Sequence, residues 1–389
     1  MERRRRQVDA RKQEQLDPAS ASGEGPGLID TDVHNDFAAR EDLLPYLPKV
    51  WHAQWLAVGT GVGSPYYSPV GVLRRDAGPE RGGPPGSDPH YLLRDHLERF
   101  AIDYAILTGA GILEMSLNPD CDYANAAVSA YNDYLLEQWL PASPRFKGSI
   151  VVNHADPAAA AREIDRLGGH PDLVQVIMCS GARTLYGQRC YHPIYEAAQR
   201  HGLPVAFHPG TEGRGVAGAP TPSGYPSRYM EWHNALPGNY MAHLNSLVCE
   251  GVFEKYPELR IVAIEGGIGW LPHLMWRMDK NYKALRDSVP WLRELPSTYL
   301  RRHVYLTTQP IEEPQEPEHL AQIFRMCGAE DRVMYASDYP HWDFDPPKFA
   351  LASLPREMRA KVRSANAAAL YGLTGRPPAG GRGGASHAD

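Results

Sequence analysis

The sequence predicts an α/β fold, a (β/α)8 TIM barrel with long loop insertions after strands one and five and disordered termini. Three observations predict it. Short apolar runs alternate with longer helical patterns, the alternation repeats eight times, and no Gly-x-Gly-x-x-Gly turn follows the first run. Strands alternating with helices imply a parallel sheet, and eight repeats is the count that closes a barrel. The missing glycine turn speaks against the rival, an open doubly wound sheet for a dinucleotide.

In chain order, the strands are predicted at Leu28–Thr31, Asp103–Leu107, Gly148–Val152, Leu173–Met178, Pro204–Phe207, Arg260–Ile264, Val304–Leu306 and Val333–Tyr335. Each is short and rich in Val, Ile, Leu or Tyr, as a strand buried on both faces should be. Helices are predicted at His90–Phe100, Tyr123–Trp139, Pro157–Leu167, Pro193–His201, Met241–Lys255, Leu271–Leu285, Pro317–Cys327 and Arg356–Leu370. Asp156-Pro157 supplies a capping carboxylate followed by proline in the first turn, and His192-Pro193 repeats the proline placement. Gly168-Gly169, Gly202, Gly328 and Gly372 mark helix ends. Outside the barrel domain at 28–376, segments 1–27 and 377–389 lack apolar periodicity and are expected to be disordered tails.

Three connections exceed the usual few residues. The first, Asn35 to Pro89, carries Trp51, Trp55, Tyr66 and Tyr67; the second, Pro209 to Asn239, carries Tyr225, Arg228, Tyr229, Trp232 and His233. Both leave the carboxyl ends of strands, where barrel enzymes build their sites, and together they are expected to form a lid. The third, Arg286 to Arg302, is read as a loop before strand seven.

The chemistry concentrates at strand ends. In Ile29-Asp30-Thr31-Asp32-Val33-His34, residues two apart share a face, so Asp32 and His34 point together toward the barrel axis. Asp30 could equally be an N-cap or turn residue. His208 ends the apolar run Leu203 to Phe207, and Asp338 follows Val333 to Ser337. A carboxylate placed directly after a buried strand is costly unless paired, hydrogen-bonded or bound to metal. Oxygen and nitrogen ligands from Asp32, His34 and His208 suit one divalent ion, zinc first and manganese second, with Asp338 as a fourth ligand or a neighbouring base. An open position on such an ion would polarise water, and Asp338 could take or deliver the proton.

These motifs, with Glu265-Gly-Gly-Ile-Gly-Trp270 and Ser337-Asp-Tyr-Pro-His341, resemble the amidohydrolase superfamily over about residues 28 to 372. More narrowly they resemble its amidohydrolase-related branch, which includes 2-amino-3-carboxymuconate-6-semialdehyde decarboxylase. The resemblance implies a metal-dependent barrel with Asp32, His34, His208 and Asp338 as ligands. Two departures stand out: the first pair is Asp-x-His rather than His-x-His or Glu-x-His, and Glu265 replaces a catalytic histidine at the end of strand six. Glu265 is therefore expected to carry protons, support a ligand or cap the glycine turn. Strand four has no lysine, so a carbamylated lysine bridging two metals is not expected, and one metal is. His341 is a candidate to orient Asp338; Arg183, Trp270, Tyr225, Arg228 and His233 are candidate substrate contacts.

The resulting expectation is non-oxidative decarboxylation of a small aromatic or unsaturated acid. The alternatives are hydrolysis of an amide, ester or lactone, dehydrative ring closure, and a catalytically dead barrel serving as a binding protein. The net charge of -6 gives no basic footprint for nucleic acid beyond Arg3 to Arg6, and no apolar run is long enough for a membrane span. Five scattered cysteines, odd in number and without a C-x-x-C pair, fit a reduced cytoplasmic protein. Trp291 and Tyr299, read as exposed aromatics, leave room for a homodimer.

Overall fold

The computed structural model describes residues 25–377 except residues 67 and 69, so Tyr67, the Arg3 to Arg6 cluster and nearly all of both predicted tails lie outside the described residues. Eight parallel strands follow one another in chain order. They are β1 (Ile29–Val33), β2 (Tyr104–Leu107), β3 (Phe146–Val151), β4 (Leu173–Cys179), β5 (Val205–His208), β6 (Ile261–Ala263), β7 (Val304–Thr307) and β8 (Val333–Met334). The barrel closes where the Thr31 N–H donates to the Tyr335 carbonyl at 3.0 Å and the His34 N–H to the Tyr339 carbonyl at 2.7 Å. Seven of the strands are buried at every position, because side chains on one face fill the barrel and those on the other lie under helices. This is the eight-stranded barrel that the alternation predicts.

The helices fall where the caps place them. Asp156 accepts the Ala159 N–H at 3.1 Å and opens Pro157–Leu167, and Gly328 ends Pro317–Cys327 with φ 62. Three predicted helices contain π turns, at Leu93–Glu98, Leu135–Trp139 and Lys361–Ala365. The third long connection is not all loop: Pro296–His303 is helical. Pro296, Tyr299, Leu300 and His303 form its buried face at helical spacing, which a reading that counts His303 as polar overlooks. Among the described residues, no helix is long and apolar enough to cross a membrane.

The two long insertions meet over the barrel mouth. Tyr66 of the first stacks on Trp232 of the second with ring centroids 5.6 Å apart, and Trp232 is buried. The first insertion also joins the segment after β8, through an Arg74 N–H to Pro340 carbonyl bond of 2.9 Å and a Trp342 N–H to Val72 carbonyl bond of 2.9 Å. Trp55 turns inward instead, packing on Phe37 and donating its indole N–H to the Arg40 carbonyl at 2.8 Å. Gly86 sits at φ +84 where a Cβ would lie 2.5 Å from the His34 carbonyl oxygen, so this close approach requires glycine.

Candidate metal centre

β1 positions Asp32 within the strand and His34 one residue beyond it, while β5 ends on His208 itself. Asp338 follows β8 at φ 58, a left-handed backbone that is uncommon for a residue with a side chain and aims it away from the normal strand direction. These four side chains are all buried and bring one ligating atom each within 4.8 Å of the others. His34 Nε2 lies 2.8 Å from Asp338 Oδ1 and 3.6 Å from Asp32 Oδ1; His208 Nε2 lies 3.5 Å from Asp32 Oδ2.

The surroundings fix which atoms face inward. His34 Nδ1 is bound to the Gly109 carbonyl and His208 Nδ1 to the Pro209 carbonyl, and a carbonyl only accepts. Each Nδ1 therefore carries its proton, leaving an Nε2 lone pair directed at the carboxylates, the arrangement of a metal-ligating histidine. Thr108, just past β2, donates its hydroxyl to Asp32 Oδ1 at 2.8 Å. Asp32 Oδ2, Asp338 Oδ2 and His208 Nε2 are buried with no hydrogen-bond partner among the described residues. Buried polar atoms left unpaired are costly, and a divalent cation would satisfy all three. The donor set fits such an ion.

The electrostatics agree. Burial alone would raise the Asp32 carboxyl, but His34, His208 and Thr108 outweigh it and hold it at about 2. Burial would lower the His208 imidazole, yet Asp32 and Glu265 lift it to about 10. Asp338, also between histidines, is raised instead, by burial and by the Asp32 charge. Protons and a cation compete for the same lone pairs here, so metal uptake releases protons.

A family model described as Amidohydrolase matches residues 29–373. The chain belongs to the amidohydrolase family. A gamma-resorcylate decarboxylase of Polaromonas sp. (strain JS666) is 28% identical over 272 residues, covering 65% of this chain and 78% of that relative. Among solved structures, a dihydroxybenzoic acid decarboxylase from the same Polaromonas strain, with bound manganese and 2-nitroresorcinol, aligns with TM-score 0.61 and 22% identity over 89% of this chain and 97% of that one. A 5-carboxyvanillate decarboxylase from Novosphingobium aromaticivorans, complexed with manganese and 4-hydroxy-3-methoxy-5-nitrobenzoic acid, aligns with TM-score 0.65 and 21% identity over 92% and 100%. These two structures bear on the fold alone.

Around the centre of this amidohydrolase barrel, three of the other candidates come close. His341 Nδ1 lies 2.6 Å from Asp338 Oδ1 and its ring stacks on His34 at 4.2 Å. Glu265, after β6 at φ 58, places Oε2 3.5 Å from His208 Nε2, and His233 Nε2 is 3.7 Å from Glu265 Oε1. The rest sit elsewhere. Arg183, Tyr225 and Arg228 are exposed on loops. Trp270 is half-buried, donates its indole N–H to the Gly266 carbonyl at 2.7 Å and stacks on Tyr240. Asp30 is not a cap: it lies inside β1, accepts the Ser337 N–H at 3.0 Å and pairs with His96 Nε2 at 2.7 Å, bracing the segment that carries Asp338. Thr108 and Asp343 went unnoticed in the sequence. Thr108 gave no signal as a lone threonine after a strand, whereas Asp343 stands two residues past His341 in the same box and could have been found there.

Proposed function

We propose that this chain is a divalent-metal-dependent, non-oxidative decarboxylase of a small aromatic carboxylic acid. The observation that carries the reading is the convergence of Asp32, His34, His208 and Asp338 on one point at the carboxyl end of the barrel. Its support from kinship is a relative named gamma-resorcylate decarboxylase, and solved neighbours in which manganese accompanies a nitro-substituted phenol. A nitro group is planar with two partly negative oxygens, so it imitates a carboxylate on the same ring.

Asp32, His34, His208 and Asp338 would hold manganese or zinc. A cation held there would supply Lewis-acid charge to offset that of the substrate carboxylate. The chain's own groups do the rest. Asp338, whose carboxyl burial raises, is the group placed to pass the proton, with His341 at 2.6 Å to orient it. That proton goes to the ring carbon, the carbon–carboxyl bond breaks, its electron pair restores the aromatic ring, and carbon dioxide leaves. The interlocked Tyr66, Trp232, Tyr229 and Trp342 exclude water from the mouth.

The test is carbon dioxide release from 2,6-dihydroxybenzoate and 5-carboxyvanillate, with manganese and with chelator. Metal-dependent release supports the reading. Turnover of amides, esters or lactones without carbon dioxide from any aromatic acid would replace it with hydrolysis, the reading that Glu265 in place of a histidine favours.

A further inference from the structure

Asp338 stands at φ 58, and a residue with a side chain stays in that left-handed region only where its surroundings fix it from several sides. What fixes it here comes from a distant part of the chain. The π turn Leu93–Glu98 carries Asp95 and His96, and it takes hold of both neighbours of Asp338. On one side, His96 Nε2 lies 2.7 Å from Asp30 Oδ2, and Asp30 Oδ1 accepts the Ser337 N–H at 3.0 Å. On the other, the His96 ring stacks on Tyr339 with centroids 4.4 Å apart, and the Tyr339 hydroxyl donates to Asp95 Oδ2 at 3.0 Å. Ser337 joins the two arms, because its Oγ accepts the Tyr339 N–H at 3.1 Å.

His96 and Asp30 are both fully buried. A carboxylate oxygen accepts, so His96 Nε2 carries the ring proton, and Nδ1 is left buried with no hydrogen-bond partner among the described residues. Phe100 and Phe344 meet the ring at an angle. Apolar residues of similar volume often replace a buried ionic pair with no loss of stability, so stability by itself does not account for this one. Its placement does. Asp30 Oδ1 also accepts the Asp32 N–H at 3.3 Å, so one carboxylate reaches the backbone of both segments that bring a carboxylate to the metal centre. The wide turn agrees, since π turns recur where a helix serves a functional site.

We infer that the turn Leu93–Glu98 is a clamp that sets where the Asp338 carboxylate stands, with His96 and Asp95 as positioning residues. Neither is a metal ligand: His96 acts through Asp30 and Ser337, and both act through Tyr339. The inference rests on the metal-dependent decarboxylase reading of the centre. Its consequence is that Asp338 meets a cation, and passes its proton, in one fixed geometry, on which rate depends steeply.

The experiment uses the full chain, stripped with chelator and reloaded with Co2+ alone, whose visible absorption reports the ligand geometry independently of turnover. Manganese-loaded protein gives kcat and KM for carbon dioxide release from 2,6-dihydroxybenzoate or 5-carboxyvanillate, whichever is turned over. His96→Leu removes the bond to Asp30 and the stacking; Tyr339→Phe removes only the hydroxyl that Asp95 holds; His96→Gln returns a donor to Asp30. The expected result for His96→Leu is one cobalt per chain with an altered spectrum, and kcat lower by roughly 10–100-fold with KM within about twofold of wild type. His96→Gln should recover most of both changes, and Tyr339→Phe should fall between. A histidine that only stabilises the fold would lower the melting temperature and leave the cobalt spectrum and kcat as in wild type, and that result overturns the clamp. If circular dichroism shows His96→Leu unfolded, Tyr339→Phe decides on the same two readouts, and wild-type values there overturn it. A wild type that binds Co2+ but releases no carbon dioxide from any aromatic acid overturns the decarboxylase reading, while the cobalt spectra still decide the clamp. A wild type that binds no cobalt overturns the metal centre and the clamp with it.

Discussion

Thr108→Val removes one hydroxyl and almost no volume, and it isolates how the barrel holds its first ligand. The Thr108 hydroxyl donates to Asp32 Oδ1 at 2.8 Å in a fully buried setting, while Asp32 Oδ2 is left free for the cation. A hydrogen bond to a charged acceptor contributes about 1.5–3 kcal/mol. At about 1.4 kcal/mol per tenfold, its loss weakens Mn2+ binding at this centre by roughly 10- to 150-fold, overlapping the 10–100-fold range typical for groups that orient a ligand. The backbone bond from the Thr108 N–H to the Val33 carbonyl, at 3.0 Å, is untouched, so the strand pairing survives. Chelator competition gives the dissociation constant directly, and Thr108→Ser should recover most of the loss. A Thr108→Val affinity within a factor of two of wild type would refute the claim that this hydroxyl fixes Asp32 for metal binding.

Asp338→Asn cannot release a proton, so turnover should fall by about 10²–10⁴-fold while the circular dichroism spectrum is unchanged; near-normal turnover would remove Asp338 from the proton path. His154 stays neutral in the folded protein down to about pH 3, because burial and then His243 oppose its charge. The unfolded chain titrates near the ordinary histidine value of 6.5, so the contribution of neutral His154 is complete above that pH and is lost as pH falls below it. By about pH 5 the loss is about 2 kcal/mol, and the melting temperature of His154→Asn should drop less than that of wild type between about pH 8 and pH 5. Parallel slopes would count against it. Gly86→Ala should lower stability by more than about 1 kcal/mol, since a Cβ would lie 2.5 Å from the His34 carbonyl oxygen on a positive-φ backbone. Unchanged thermal unfolding in that variant would mean the loop relaxes freely.

Tyr66 and Trp232 show how far loop aromatics can be read. Their presence in two long insertions predicts a cover, and the stacked pair at 5.6 Å is one, yet Trp55 from the same insertion packs inward on Phe37. Nothing in composition separates the two fates, because each depends on where a flexible connection meets the barrel. The helix Pro296–His303 was hidden for a related reason: its buried face includes a proline and a histidine, which gain apolar company only from packing. His303, for instance, stacks on Phe253 at 4.3 Å.

By itself the sequence determined the eight strands, the barrel they close and the arrival of Asp32, His34 and His208 at its mouth. Strand periodicity is local: two residues apart means one face, and a strand's last residue lies at its carboxyl end whatever the rest of the chain does. Tertiary structure alone decided that Asp30 braces the segment after β8, that Thr108 holds Asp32, and that Glu265 stands between His208 and His233. Those are contacts between segments tens to hundreds of residues apart, several made from loops. No backbone period sets the direction of a side chain there; only the packing of the closed barrel does.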